Sequence, residues 1–194
     1  MKIKAIVLSV LAVAALSLNA CKGKEKSETE TSTETEMNKE EEMTVKKVTF
    51  KLSPKSDSQA KGSVVFKEEN GQVTMTAVMD GLSEGTHAIH IHEEADCSAA
   101  DATSTGGHWN PTFEDHGKWG DAGGFHRGDI GNFEADANGN GTITMTTDLW
   151  CIGCDDEKKN ILGKAIIVHQ GADDFTSQPS GAAGARVSCG GIIK

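Results

Sequence analysis

From residue 45 onward, apolar and polar side chains alternate along much of the chain. In the first such stretch, residues 45–52, Val48 and Phe50 alternate with lysines and a threonine. Successive side chains of a strand point to opposite faces, so this pattern predicts strands with one buried face. On this basis eight strands are predicted, over residues 45–52, 62–67, 72–79, 86–93, 132–135, 142–147, 164–168 and 186–193.

Turn signals and two long gaps separate these strands. The Glu-Asn-Gly step at 69–71 and the Asp-Ala-Asn-Gly-Asn-Gly segment at 136–141 are typical of tight hairpin turns. Residues 94–128 and 171–185 lack a strand pattern, and loops of that length in a compact domain are usually functional. No repeat and no convincing helix is found. The pattern predicts an all-β fold, an antiparallel barrel or sandwich with large loops.

The first 20 residues have the composition of an export signal. Lys2 and Lys4 precede an apolar run of 12 residues, which is too short to span a membrane as a helix and is typical of a secretory leader. The run ends in Leu18-Asn19-Ala20-Cys21, which resembles the lipobox of bacterial lipoproteins. We therefore expect a leader over 1–20 and lipidation of Cys21. Cleavage of an ordinary exported protein near Ala20 is the alternative.

The segment after the leader, residues 21–44, consists mainly of Glu, Thr, Ser and Lys. Such a composition cannot bury enough apolar surface to offset the entropy of ordering, so we expect a disordered acidic tether. The predicted organisation is a leader over 1–20, a lipid-anchored tether over 21–44 and one domain over 45–194. This organisation predicts a protein of the bacterial cell envelope that contacts the membrane only through its lipid anchor and faces the periplasm or the outside.

Composition and charge narrow the class of protein. The chain has 194 residues, 29 acidic against 19 basic, and a formal net charge of −10. This balance argues against a nucleic-acid partner, whose phosphates require a basic face. The five cysteines are an odd number, so disulfides within the chain cannot pair them all, and one of them is expected to have a special role. Export would place the others in an oxidising compartment, where disulfides persist.

The histidines indicate the chemistry. All seven lie after residue 86. In Ile89-His90-Ile91-His92 both histidines share one face of a predicted strand, while the isoleucines enter the core. Two imidazoles at positions i and i+2 can chelate one metal ion, but this pattern alone is weak evidence, because solvated histidines produce it too.

The first long loop adds further side chains of the ligand type. They are His108, His116, His126 and Asp129. Three imidazoles and one carboxylate form a closed four-coordinate set, which suits a structural zinc ion. Imidazoles also suit copper, and the His90–His92 pair leaves room for more of them. His169 ends the apolar segment 165–168 and also projects from a rigid element.

Taken together, these motifs resemble the copper–zinc superoxide dismutases from about residue 45 to the C-terminus. The resemblance is carried, in the family's order, by His90-Ile91-His92, Gly107-His108, His126-x-Gly128-Asp129-x-Gly131-Asn132, Val168-His169-x-x-Ala172-Asp173-Asp174 and Gly184-Ala185-Arg186-x-x-Cys189-Gly190. It implies an eight-stranded Greek-key β-barrel, an immunoglobulin-like sandwich with a metal-binding loop and an electrostatic loop. It also implies disproportionation of superoxide to O₂ and hydrogen peroxide, with one copper, alternating between Cu(II) and Cu(I), and one zinc per subunit.

Carried over position by position, the resemblance implies a role for each ligand-type residue. The implied copper ligands are His90, His92, His108 and His169, and the implied zinc ligands are His108, His116, His126 and Asp129. His108 would bridge the two metals and deliver a proton during turnover. Asp173 would link His90 to His116, and the remaining histidine, His87, would hydrogen-bond loop backbone. Arg186 would lie beside the open copper position and receive the superoxide anion.

The resemblance also implies a disulfide between Cys97 and Cys189. Cys151 and Cys154 form an additional Cys-x-x-Cys, for which we expect a local disulfide; a redox or metal-loading role is the alternative. Residues 175–185 carry no charge, so the steering charges that animal enzymes have in this loop are absent. Lys118 or Arg127 in the metal-binding loop could instead supply the positive potential that attracts the superoxide anion.

Two classes of function remain open at this level. The first is an envelope superoxide dismutase, an enzyme of antioxidant defence. The second is a binding protein of the same fold that buffers copper or zinc without efficient turnover. Arg186 and Asp173 favour the enzyme, because a buffer would not need the arginine. Both a monomer and a homodimer are compatible with the resemblance.

Overall fold

The computed structural model describes residues 45–194. Its strands are β1 (Lys46–Pro54), β2 (Lys61–Glu69), β3 (Gln72–Asp80), β4 (Gly85–His92), β5 (Gly131–Ala135), β6 (Gly141–Thr147), β7 (Ala165–His169) and β8 (Arg186–Gly191). One short 3₁₀ helix, Thr103–Thr105, lies between β4 and β5, and the described range contains no α-helix. The predicted all-β fold is confirmed, and the strand ends differ from the predicted ones by two residues at most.

The eight strands close into one antiparallel barrel in the order β1-β2-β3-β6-β5-β4-β7-β8. The turn at 69–71 joins β2 to β3 as predicted, with positive φ at Asn70 and Gly71. The turn at 136–141 joins β5 to β6, but these strands share only the pair Ala135–Gly141. β6 also pairs along β3, so the connection from β3 to β4 passes across β6 and β5 and forms a Greek key.

The barrel interior holds the apolar core. Ile89 and Ile91 of β4 point into it and are fully buried, as predicted. The outer faces of β4 and β7 are buried as well, because the two long loops cover them. His90 and His92, which alternate with the isoleucines, therefore lie under a loop instead of facing solvent.

The two long loops leave the barrel from neighbouring strands. Residues 93–130 connect β4 to β5, and residues 170–185 connect β7 to β8. Since β4 pairs with β7, both loops lie over the same side of the barrel. The disulfide between Cys97 and Cys189 ties the first loop to β8 and confirms the implied pairing. Among residues 45–194, no helix is long and apolar enough to cross a membrane.

Candidate metal centre

Two groups of ligand-type side chains meet where the loops cover β4 and β7. The first group is His90, His92, His108 and His169, and the second group is His108, His116, His126 and Asp129. In each group the four ligand atoms lie within 4.8 Å of one another, and all seven side chains are buried. The structure thus brings together the residues that the sequence singled out, with His108 in both groups.

Rigid elements hold the first group. His90 and His92 come from the middle and end of β4, and His169 ends β7. His108 belongs to the loop, but its backbone forms a β-bridge with His92. The rings of His90 and His108 are 3.9 Å apart between centroids.

Six buried ring nitrogens have no hydrogen-bond partner among the described residues. They are Nδ1 of His90, His116 and His126, and Nε2 of His92, His108 and His169. Burying a polar nitrogen without a partner costs free energy, and coordination to a metal ion removes that cost. Each group has at least three such nitrogens or carboxylate oxygens facing inward, so the side chains fit one metal ion per group.

The other ring nitrogens are mostly held in place. Nδ1 of His92 lies 3.0 Å from the carbonyl oxygen of Gly106, and Nδ1 of His169 lies 3.2 Å from that of Gly184. Contacts of this kind fix the tautomer and the orientation of an imidazole, so that the free nitrogen faces the group.

Asp173 holds one histidine of each group. Its Oδ2 lies 2.9 Å from Nε2 of His90, and its Oδ1 lies 2.9 Å from Nε2 of His116. Burial alone would raise the pKa of Asp173, but the hydrogen bonds from these two rings hold it below its usual range. The carboxylate therefore stays ionised and links the two groups directly.

The second group favours a positive charge. Asp129 Oδ1 lies 2.8 Å from Nδ1 of His108, and Oδ2 lies 3.0 Å from Nδ1 of His116. Burial opposes protonation of His116, but the nearby carboxylates of Asp129 and Asp173 outweigh it and raise its pKa to about 9. A divalent cation would take the place of that proton.

Three imidazoles of the first group, those of His92, His108 and His169, are neutral at neutral pH. Burial lowers the pKa of His108 to about 4, and burial together with the nearby His90 lowers that of His169 to about 3. Burial also holds the pKa of His92 below its usual range. Neutral imidazole is the ligand form, and four imidazoles suit copper.

Arg186 places a fixed positive charge beside the first group. It is the cross-strand partner of His169. Its Nη1 donates to the carbonyl oxygen of Ala102 at 2.8 Å and to Oγ1 of Thr105 at 3.0 Å. Burial lowers the pKa of the guanidinium, yet the group keeps its charge, because an arginine in a protein is effectively always protonated.

Sequence reasoning missed three positioning residues. Gln178 accepts from the backbone N–H of His116 and donates to its carbonyl, both at 2.9 Å. Asn132 makes the same double contact with the backbone of Asp173, both at 2.8 Å. Gly181 leaves the space into which Asp173 fits. Asn132 belongs to one of the motifs that carry the resemblance, but the sequence indicates no role for it. Gln178 lies in the segment 175–185, whose lack of charge is its one distinctive feature in the sequence.

Other predicted residues are placed as follows. His87 is buried, and its Nδ1 lies 2.8 Å from the carbonyl oxygen of His169, as the resemblance implied. Cys151 and Cys154 form the expected local disulfide. Arg127 lies over the ring of Phe125. Cys21 lies outside the described residues.

Comparison with known proteins identifies the family. Residues 60–192 match the family model described as copper/zinc superoxide dismutase. The chain belongs to the copper/zinc superoxide dismutase family. It is 34% identical over 160 residues to an extracellular Cu-Zn superoxide dismutase of Drosophila melanogaster, a match that covers 77% of this chain and 86% of the relative. It is 38% identical over 148 residues to a Cu-Zn superoxide dismutase of Podospora anserina, covering 71% and 92%.

Solved structures support the same conclusion. A double mutant of a SOD-like protein from Bacillus subtilis superposes with a TM-score of 0.67 at 31% identity, covering 75% of this chain and 97% of that one. The clock protein EA4 superposes with a TM-score of 0.65 at 32% identity, covering 76% and 94%. This chain is thus a protein of the superoxide dismutase type, with copper and zinc as its cofactors.

Proposed function

We propose that this member of the copper/zinc superoxide dismutase family catalyses the disproportionation of superoxide to O₂ and hydrogen peroxide. The observation that carries the proposal is the pair of adjacent metal groups that share His108, with Arg186 beside the first of them. A metal buffer needs the ligands, whereas the half-buried Arg186 serves a small anionic substrate.

We assign copper to the first group and zinc to the second. Four imidazoles support the first assignment, and three imidazoles with the Asp129 carboxylate support the second. When bound, copper supplies one-electron redox chemistry and zinc supplies a fixed charge that holds the bridging histidine.

Arg186 binds and orients the substrate anion. Its contacts with Ala102 and Thr105 use part of the guanidinium and fix its plane. The remaining N–H groups are available to an oxygen anion, since a guanidinium has five donors. In a chain of net charge −10, a local positive charge at the site also attracts the anion over a short range.

His108 is suited to deliver a proton from Nε2. Its Nδ1 is held 2.8 Å from Asp129, which leaves Nε2 as the atom that faces the first group. Because burial lowers the pKa of this ring to about 4, a proton placed on Nε2 is released readily to a stronger base. The basic peroxide formed by the second electron transfer is such an acceptor.

The decisive experiment measures superoxide disproportionation by the purified full chain, loaded with copper and zinc, against an equal concentration of free copper. We expect turnover well above free copper, no turnover with His169→Ala, and a kcat/KM at least about tenfold lower with Arg186→Ala. The matched control is Arg127→Ala, because Arg127 is the only other arginine in the sequence and lies over the ring of Phe125.

Two results would contradict this proposal. Stoichiometric copper and zinc binding with turnover no better than free copper would leave a metal buffer of the same fold. Equal losses with Arg186→Ala and Arg127→Ala would show that net charge, and not the placement of Arg186, matters for the substrate.

We further propose that the protein works at the bacterial cell envelope, with a leader over 1–20, a lipidated Cys21, a tether over 21–44 and the enzyme domain over 45–194. The lipobox-like sequence supports the anchor, and extracellular relatives support export. Metabolic labelling with a radioactive fatty acid should label the chain, and Cys21→Ser should abolish the label and move the activity to the soluble fraction. Unchanged labelling of Cys21→Ser would contradict the anchor.

A further inference from the structure

Trp150 joins the barrel wall to the metal-binding loop. Its side chain is 1% exposed and packs edge-on against Phe66 and Trp119, with ring centroids 6.0 and 5.3 Å away. The indole Nε1 donates a hydrogen bond to the carbonyl oxygen of Arg127 at 2.9 Å. That carbonyl lies between His126 and Asp129 in the chain, and both of these residues belong to the second group.

The rest of this turn is held by backbone. The carbonyl of His126 accepts from the N–H of Asp129 at 3.1 Å, and that of Gly128 accepts from Ile91 at 2.9 Å. Among the described residues, the Arg127 carbonyl is held by the Trp150 side chain alone. A rotation of the Arg127 peptide would shift the two ligands relative to each other, and the indole opposes it.

The Cys151–Cys154 disulfide closes directly after Trp150. Cys151 donates its N–H to the carbonyl of Lys159 at 2.8 Å, and Ile152 donates its N–H to the Glu68 carboxylate at 2.7 Å. β6 ends at Thr147, so these contacts and the disulfide, not a strand, fix the backbone that carries the indole. A loop this short constrains the unfolded chain less than a long one does, which favours a local positioning role.

We propose that Trp150, fixed by the Cys151–Cys154 disulfide, is a positioning residue that sets the zinc affinity of the second group. The inference rests on the zinc assignment made in the proposed function. Groups that support the ligands of a metal site typically change its affinity by about 10- to 100-fold when removed. Trp150→Phe keeps an aromatic ring but removes the N–H donor, so the zinc dissociation constant should rise about tenfold or more.

The test uses the purified full chain and three readouts. Chelator competition gives the zinc affinity, the visible absorption of Co(II) in the second group reports its ligand geometry, and copper titration reports the first group. Trp119→Phe is the matched control, because Trp119 packs against Trp150 but does not contact the Arg127 carbonyl. We expect Trp150→Phe to weaken zinc binding and change the Co(II) spectrum, with copper binding and the Trp119→Phe protein unchanged.

A second variant keeps the test independent of the aromatic substitution. Cys151→Ser with Cys154→Ser leaves Trp150 in place and should weaken zinc binding in the same direction. Wild-type zinc affinity and Co(II) spectrum in Trp150→Phe would overturn the inference, as would an equal loss of zinc and copper affinity, which marks a general structural role. Failure of the wild-type chain to take Co(II) into the second group would instead refute the zinc assignment.

Discussion

Gly181 lies against the Asp173 carboxylate so closely that a Cβ on Gly181 would come within 1.8 Å of Oδ1. It would also come within 2.7 Å of Nε2 of His116. The backbone of the second long loop thus passes directly over the hydrogen bond that joins Asp173 to the second group. The hydrogen bond between Asp173 and His116 can form only because Gly181 has no side chain.

Gly181→Ala should therefore displace Asp173 and weaken metal binding in both groups. Gly181 also has a φ of 67°, where an alanine costs about 1–2 kcal/mol through backbone strain alone. Gly71→Ala is the matched control, because its φ is 74° and its Cβ would meet nothing within 4 Å. Thermal unfolding of both metal-free variants should show the strain, while zinc and copper titrations should show a loss only in Gly181→Ala. Equal affinities in the two variants would contradict the prediction.

Asp173→Asn should lower the affinity of both groups. The amide can accept a hydrogen bond from one ring N–H but offers an N–H to the other, so either His90 or His116 loses its partner. Removing such a partner typically costs about 10- to 100-fold in metal affinity. Chelator competition for copper and zinc checks this, with the exposed neighbour variant Asp174→Asn as the control. A loss confined to one metal would show that Asp173 does not couple the groups.

Zinc and copper binding should release protons from different histidines. Since the pKa of His116 is raised to about 9, this ring is protonated at pH 7 and must lose about one proton when zinc binds. The lowered pKa of His169 leaves that ring unprotonated, so copper binding to the zinc-loaded chain should release no proton from His169 but should release the remaining N–H proton of His108, which has to leave for this ring to hold both metals. Calorimetry in buffers of different ionisation enthalpy measures both numbers.

The raised pKa of His116 also sets the pH dependence of zinc affinity. Zinc affinity should fall as pH falls below about 9, because zinc must displace the proton of His116. An absence of proton release on zinc binding at pH 7 would show that His116 is not protonated in the metal-free protein.

The two disulfides should contribute unequally to stability. Cys97 and Cys189 are 92 residues apart, and closing such a loop in the unfolded chain corresponds to about 4–5 kcal/mol. Cys151 and Cys154 are 3 apart, which corresponds to about 2 kcal/mol. Denaturant unfolding of two metal-free variants, Cys97→Ser with Cys189→Ser and Cys151→Ser with Cys154→Ser, compares the two losses in the free energy of unfolding. A larger loss from the short loop would show that local contacts outweigh loop closure.

Much of the fold was accessible from the sequence because alternation reports directly which side of a strand is buried. Ile89 and Ile91 were assigned to the core for this reason, and the structure confirms it. The pairing of β3 with β6 was not accessible, because a turn signal identifies which strands are connected but not which ones hydrogen-bond along their length. The copper and zinc assignments and the domain limits remain predictions.

The residue types and their order by themselves indicated the chemistry: six histidines and Asp129 in this arrangement predict metal ligands, and an arginine near the end of the chain suits an anion. Only the tertiary structure decided which ring nitrogen of each histidine is free and which side chains hold the others. Gln178 reaches His116 across 62 positions and Trp150 reaches Arg127 across 23. The first contact exists because the pairing of β4 with β7 lays both long loops over the same face, and the second exists because the connection between β6 and β7 packs against the first of these loops. No local pattern in the chain encodes either approach.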